Sequence, residues 1–179
     1  MLVPPLVAAV LAAADLGPRP AAPIINPGGI VNAATNRPAP DNFVSPGAII
    51  SIYGTGLAAV TREVRPEDLD NGFLPETLAG VAVFFGGVPG HVFYVSPLQI
   101  NAQVPTTLQP GEWEARVRVE RLESRERVVV RPYSPGLFGV ARHAGGTLVS
   151  RAAPARPGEF LLFFGTGFGP TRPPLLAGA

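Results

Sequence analysis

Residues 46–57 read PGAIISIYGTGL, and residues 157–168 read PGEFLLFFGTGF. Each copy begins with a Pro-Gly turn, continues through β-branched, leucine or aromatic residues, and ends at a Gly-Thr-Gly turn. This pattern is typical of a buried β-strand between two turns. The repeat therefore predicts two related β-domains in series. Because little sequence follows the second copy, we expect the second domain to be incomplete and the chain to be a fragment.

The composition indicates a folded chain that is rich in turns. The 179 residues include 21 glycines and 22 prolines, and 46% are hydrophobic, which suits many short strands. The absence of cysteine excludes disulfides and thiolate chemistry. All 14 basic residues are arginines, which excludes the lysine of a phosphate-binding loop and a Schiff-base lysine. A net charge of +1 does not favour nucleic acid as a partner.

The first residues predict export to the cell surface or beyond. Residues 1–14 form an apolar run that ends in three alanines, which is typical of a secretory signal peptide and its cleavage site. The run is shorter than the roughly 20 residues of a transmembrane helix, so we expect no membrane span. Residues 15–28 are rich in proline and alanine and are predicted to be a linker. We expect the first domain at residues 29–132, and a joint with an incomplete second β-domain at residues 133–179.

Within residues 29–132 the apolar residues recur with the period of a β-strand. Residues 81–85 and 91–95 flank a Gly-Gly turn and are predicted to form a hairpin. Residues 112–120 alternate apolar with charged side chains and are predicted to pair with the strand that contains residues 125–127. We assign these charges to solubility and strand register. Seven or so short strands in about 100 residues predict an all-β, immunoglobulin-like sandwich.

Four motifs in order carry a resemblance to a known family. They are GIVNAA at residues 29–34, the first repeat copy at 46–57, LPETLAGV at 74–81 and YVSPLQINAQVP at 94–105. Together they resemble the Solibacter-type uncharacterised C-terminal domain, which is abundant in exported acidobacterial proteins and similar to the TIG/IPT group of immunoglobulin-like domains. The resemblance implies a TIG/IPT-like sandwich from residue 29 and further strands after the second Gly-Thr-Gly turn. It implies no functional residue, since the family has no assigned site.

The glycines and histidines offer two candidate sites for small ligands or metals. Residues 54–56 and 165–167 could be taken for nucleotide-binding glycines, but a dinucleotide fingerprint requires a following helix, whereas prolines follow the second copy. We therefore predict turns with positive φ. His91 and His143 are far apart in sequence and have no cysteine partners, so we expect structural histidines and no zinc site.

A polar segment at residues 59–72 offers oxygen ligands. Its candidate donors are Glu67, Asp68, Asp70 and Asn71. Hard cations such as calcium bind oxygen atoms of this kind in flexible loops, but the spacing is not that of a known calcium loop. We predict a solvated loop and no metal site, with weak calcium binding as the alternative.

The serines and aromatic residues complete the survey of candidate sites. The serines considered as nucleophiles are Ser51, Ser96, Ser124, Ser134 and Ser150. None lies in a Gly-x-Ser-x-Gly elbow and no pair of carboxylates has an acid and base context, so we expect neither catalysis nor a cofactor. The aromatic residues considered for sugar stacking are Tyr53, Phe93, Tyr94 and Trp113. At alternate strand positions we expect them to belong to the core.

Three functions from different classes are compatible with the sequence. The leading hypothesis is a non-catalytic exported β-sandwich that serves as a spacer, adhesion or ligand-binding module at the cell surface, with a cell-envelope glycan or protein as partner. The alternative is an accessory domain of a larger secreted enzyme, a glycan hydrolase or peptidase, whose catalytic part is absent. A DNA-binding TIG-like module is disfavoured by the even charge and the predicted export. An unpaired strand edge at residues 160–164 also predicts self-association.

Overall fold

A computed structural model describes residues 22–178, and within this range the chain is all-β. Its only helical element there is one turn of 3-10 helix at Pro66–Asp68. The twelve strands are β1 (Ile24–Asn32), β2 (Ile49–Thr55), β3 (Arg62–Glu63), β4 (Thr77–Leu78), β5 (Val81–Phe85), β6 (Val88–Pro89), β7 (His91–Val95), β8 (Gln99–Gln103), β9 (Gly111–Val119), β10 (Leu122–Val130), β11 (Gly136–His143) and β12 (Leu161–Thr166). The all-β class predicted from the sequence is confirmed. The predicted signal peptide at residues 1–14 lies outside the described residues.

The strands form three antiparallel sheets. The first sheet has the order β1-β2-β8-β7-β3 and the second has the order β10-β9-β5-β4, with β6 paired to β5. The third sheet contains only β11 and β12. The first two sheets enclose one core, whereas the third belongs to the second copy of the repeat.

The core is built from the inward-facing residues of the first two sheets. Ile50 and Ile52 of β2 are fully buried, and so are Val83 and Phe85 of β5 in the other sheet. These side chains belong to one continuous apolar cluster, which is the geometry of a two-layer sandwich. Burial of this apolar surface is the main force that holds the layers together. Assignment to the immunoglobulin-like TIG/IPT group stays a prediction.

The predicted charged hairpin is formed by β9 and β10. Val117 faces Ser124 across the hairpin and lies fully buried, while most of the charged side chains lie on the opposite face. Glu126 is on the inner face, where its carboxylate accepts the N–H of Gly28 at 3.0 Å. Three cross-strand ion pairs span it: Arg116 to Glu123 at 3.5 Å, Arg125 to Glu114 at 3.3 Å, and Arg127 to Glu112 at 3.7 Å. The predicted pairing of these two strands is confirmed.

The predicted hairpin of residues 81–85 with residues 91–95 is wrong. After β5 the chain turns into β6, which pairs back on β5, and β7 then crosses to the first sheet and pairs with β8. The crossing is close at Gly90, whose N–H donates to the carbonyl of Val83 and where a Cβ would lie 2.8 Å from the carbonyl oxygen of Gln103. Period-two alternation specifies the buried face of a strand but not its neighbour. It therefore could not reveal this change of sheet.

The first strand begins earlier than the sequence predicts. β1 starts at Ile24, inside the segment 15–28 that was expected to be a linker. Ile24 and Ile25 pair with the end of β2, and a register shift follows at Pro27 and Gly28 before pairing resumes. Proline and glycine are tolerated within a strand at such a bulge. The first strand therefore begins before residue 29, where the first domain was predicted to start.

Candidate functional site at the joint of the two repeats

The strand pair β11–β12 reproduces the register of the strand pair β1–β2. Thr55 of β2 faces Ile24 of β1, and its repeat equivalent Thr166 faces Gly136 of β11. In both pairs the adjacent glycine, Gly54 or Gly165, also pairs, and the register then shifts. Pairing resumes at Ile52 in the first pair and at its equivalent Phe163 in the second. The sequence repeat therefore extends to the partner strand, although β1 and β11 share little sequence.

The Gly-Thr-Gly motifs shape the backbone of both copies. The last glycine has a positive φ in each, 63° at Gly56 and 81° at Gly167, as predicted. The first glycine allows close approach, because a Cβ on Gly54 would collide with the carbonyl oxygen of Ile24 and one on Gly165 would lie 2.7 Å from that of Gly136. The last glycine of each motif therefore permits the backbone of the turn, and the first permits the two strands to lie close together.

The two copies differ in the environment of their threonines. Thr55 is exposed, whereas Thr166 is only 6% exposed. The hydroxyl of Thr166 accepts a hydrogen bond from the backbone N–H of Ile49 at 2.7 Å. Since Ile49 begins β2, the second copy of the repeat is bonded directly to the start of the first.

Asn32 and Ser134 extend this contact to the joint between the units. Asn32 is 1% exposed, and its side-chain amide donates to the carbonyl of Ser134 at 2.6 Å. The N–H of Ser134 donates to the carbonyl of Gly167 at 2.8 Å, and its hydroxyl donates to the carbonyl of Phe43 at 2.7 Å. The joint is therefore bonded on both sides, to the first unit and to the second.

No sequence pattern singled out Asn32 or Thr166. Asn32 ends an apolar strand before two alanines, and its Oδ1 accepts the N–H of Ala34 at 2.9 Å. An asparagine before a turn is a signal for such a local bond, but it does not indicate the long-range one. Thr166 cannot be told from Thr55 by sequence, because both lie in the same motif.

The second unit exposes a large apolar surface around β12. In the described part of the chain, β12 pairs only with β11. Phe160 is 86% exposed and Phe163 is 58% exposed. Other exposed apolar side chains of this unit include Leu137, Val140, Leu148, Leu162, Phe164 and Phe168. We refer to the segment 160–164, with its unpaired backbone edge, as the free edge of β12.

The two histidines lie in different sheets. His143 in β11 has its Nδ1 3.1 Å from the carboxylate of Glu159 and its Nε2 3.1 Å from the carbonyl oxygen of Ala153. The Nδ1 of His91, at the start of β7, is buried with no hydrogen-bond partner among residues 22–178. Within the same range, no three histidine, aspartate or glutamate side chains are grouped so that they could hold a metal.

The oxygen donors of the polar segment 59–72 are used within the segment. Asp68 forms an ion pair with Arg62, and its other carboxylate oxygen accepts the N–H of Arg65 at 2.9 Å, ahead of the 3-10 helix. Asp70 accepts from the side-chain amide of Asn71 at 3.0 Å. The carboxylates of Asp68 and Asp70 thus have partners that order the segment. Most of the segment is exposed, in agreement with the prediction, but it is not wholly a loop, because Arg62–Glu63 form β3 and pair with β7.

The four aromatic residues do not share one face. Trp113 lies in the second sheet, where its ring packs on the turn at Gly86 and against the core cluster, as expected. Tyr53, Phe93 and Tyr94 lie in the first sheet, half-buried and outside the core cluster, so the prediction that they are core residues is wrong. The reason is strand alternation: Ile50 and Ile52 point inward, which turns Tyr53 to the outer face.

Each serine considered as a nucleophile has a structural hydrogen bond. As donors, Ser51 Oγ bonds Asn101 Oδ1, Ser96 Oγ bonds the carbonyl of Gln99 and Ser134 Oγ bonds the carbonyl of Phe43. As acceptors, Ser124 Oγ receives the N–H of Ile25 and Ser150 Oγ receives the N–H of Ala153. These bonds fix loops and strand ends.

A cleft lies between the first sheet and the last described residues. The segment 169–178 returns to the first unit, where the N–H of Gly178 donates to the side chain of Gln103 at 2.6 Å. The cleft beneath it has a volume of ≈ 340 Å³, and its walls include Thr106, Thr171 and Leu175. This volume is at the lower end of the range for small-molecule sites.

No family model matches this chain, and no curated protein matches it either. Residues 22–178 contain no helix with the length and apolar character needed to cross a bilayer.

Proposed function

We propose that the chain is a non-catalytic, exported β-sandwich module that acts as a rigid spacer at the cell surface. The apolar run at residues 1–14 supports export. The observation that carries the proposal is the joint, in which Thr166, Ser134 and Asn32 bond the second unit to the first.

A spacer differs from a pair of tethered domains in the stiffness of its joint. Units connected by a free linker sample many orientations, and their separation varies with linker length. Here Asn32 and Thr166 are buried, so breaking one of their hydrogen bonds leaves an unsatisfied buried group at a cost of about 1–3 kcal/mol. The joint therefore favours one orientation of the two units.

Distances between two labels test this stiffness. The chain has no cysteine, so Arg121→Cys in the β9–β10 turn and Ala144→Cys beyond β11 add the only two thiols. Both positions are exposed. Both sites carry spin labels, and an excess of unlabelled chain suppresses distances between different molecules. Pulsed electron paramagnetic resonance then measures the distance between the two labels within one chain. We expect a single narrow distribution that broadens when Thr166→Val and Asn32→Ala are combined.

The repeat supplies a matched control for this experiment. Thr55→Val makes the same change at the equivalent position of the first copy, where the side chain is exposed, and should leave the distribution narrow. A broad distribution in the parent chain would contradict the spacer role, and so would one that the combined variant does not change.

A further inference from the structure

We propose that the outer face of the first sheet binds a neutral glycan chain through a group of four residues, Tyr53, Tyr94, Gln99 and Asn101. Binding at this face goes beyond the spacer role and does not depend on it. Four observations carry the proposal: the two tyrosine–amide pairs of the face, the unpaired atoms of its amides, its lack of charge, and the contrast with the outer face of the second sheet.

The two tyrosine–amide pairs lie side by side at the middle strand of the first sheet. This strand, β8, has hydrogen-bonded neighbours on both sides, β2 and β7. Because Ile100 of β8 is buried in the core, Gln99 and Asn101 on either side of it point outward. Tyr53 of β2 pairs with Gln99, and Tyr94 of β7 pairs with Asn101. The two tyrosines therefore lie two strand spacings apart, about 10 Å across the sheet, with both amides between them.

Hydrogen bonds hold the two amides in place and leave one donor group and one acceptor free. The Oδ1 of Asn101 accepts from the Nε2 of Gln99 at 2.8 Å and from the hydroxyl of Ser51 at 3.0 Å. The Nδ2 of Asn101 and the Oε1 of Gln99 have no hydrogen-bond partner in the described part of the chain, and neither atom is buried. A sugar can use both atoms, because each of its hydroxyls donates and accepts hydrogen bonds.

Gln103, the third amide of β8, has a structural role instead. Its Nε2 donates to the carbonyl of Gly47 at 3.3 Å, and its Oε1 accepts the N–H of Gly178 at 2.6 Å. Both ends of this side chain are therefore used within the protein. Gln99 and Asn101 are not covered in this way, and both remain partly exposed, as do the two tyrosines. The accessible amides of the strand are thus those that lie beside the tyrosines.

The composition of the face fits an uncharged ligand that is rich in hydroxyls. β2, β7 and β8 contain no aspartate, glutamate or arginine. Glu63 of β3, opposite Tyr94, adds a carboxylate that repels anionic ligands. Aromatic rings pack against the apolar faces of sugar rings, and side-chain amides bind the sugar hydroxyls. A neutral glycan is consequently the occupant that the chemistry of this face fits.

The outer face of the second sheet has the opposite character. It carries the charged side chains of β9 and β10, and two of its arginines lie over the ring of Phe84. The guanidinium carbons of Arg116 and Arg118 are 4.8 and 4.9 Å from the centre of that ring. Tyrosine enrichment and charge depletion distinguish binding surfaces from the remaining surface of a protein. The contrast within one sandwich therefore points to the first sheet as the binding face.

Isothermal titration calorimetry of the full chain with hexasaccharides tests the site. The neutral probes are cellohexaose, xylohexaose, mannohexaose and maltohexaose, and hexagalacturonic acid is the charged comparison. We expect a neutral probe to bind with a dissociation constant that salt leaves unchanged, because the ligand has no charge to screen. Tyr94→Ala and Gln99→Ala should each raise this constant about threefold to tenfold. Tyr94→Phe keeps the ring and should bind like the parent chain.

The matched controls make the same substitutions outside the face. Tyr133→Ala removes an exposed tyrosine of the joint, and Gln109→Ala removes an exposed amide between β8 and β9. Neither should change the dissociation constant. Circular dichroism checks that all variants fold. In nitrogen-15 NMR spectra of the parent chain, the side-chain amide signals of Gln99 and Asn101 should shift when the sugar is added.

Three results would overturn the proposal. They are the absence of binding to all four neutral probes, tighter binding of hexagalacturonic acid than of any neutral probe, and binding that neither Tyr94→Ala nor Gln99→Ala weakens. In the last case the amide signals of Gln99 and Asn101 would stay in place, and the sugar would bind elsewhere on the chain.

Discussion

Gly54 of β2 lies directly against the carbonyl of Ile24 in β1, and no side chain at residue 54 fits between these two strands. We predict that Gly54→Ala destabilises the first unit by about 1–3 kcal/mol or more, because the new Cβ forces β1 away from β2. Urea denaturation of the parent and the variant measures the change in the free energy of unfolding.

Gly139 is the matched control for this substitution. A Cβ at Gly139 in β11 would meet nothing within 4 Å, so Gly139→Ala should change the free energy of unfolding by no more than about 0.5 kcal/mol. Similar effects of the two substitutions would mean that the close approach at Gly54 is not what makes glycine necessary there.

At the scale of single elements, the β9–β10 hairpin allows the stability contribution of a buried apolar side chain to be compared with that of an exposed charged one. Val117 is fully buried between the sheets, whereas Arg125 is exposed and forms a cross-strand ion pair with Glu114. We predict that Val117→Ala costs about 1.5–3 kcal/mol of unfolding free energy, from lost apolar burial and the cavity that remains. Arg125→Ala should cost less than about 1 kcal/mol, since exposed ion pairs contribute little. Thermal unfolding of both variants at low and high salt provides the comparison, and an arginine effect as large as that of the valine would contradict it.

The elements also show what the sequence can predict. The alternation in β9 marks its buried face because the strand has one dry and one wet face, and the strand lies where the pattern places it. The two-residue strands β3, β4 and β6 are too short to show any period. β1 was located late because Pro27 and Gly28 interrupt its pattern at a bulge. The joint was missed because Asn32 and Thr166 act through contacts about a hundred residues away in sequence.

At the scale of the whole molecule, the two repeats have unequal cores. β2 buries most of its residues in the sandwich, while β11 and β12 together bury only Gly136 and Thr166. A two-stranded sheet is marginally stable by itself. The second unit should therefore open locally at a lower free energy than the sandwich, although its joint fixes its orientation while it is folded.

Hydrogen exchange followed by mass spectrometry tests this inequality with the repeat as its own reference. We predict that a peptide containing residues 161–166 exchanges at least about tenfold faster than the equivalent peptide containing residues 50–55. If the two peptides were equally protected, the bonds made by Asn32, Ser134 and Thr166 would have to couple both units into one cooperative structure. The joint would then stabilise the second unit as well as orient it.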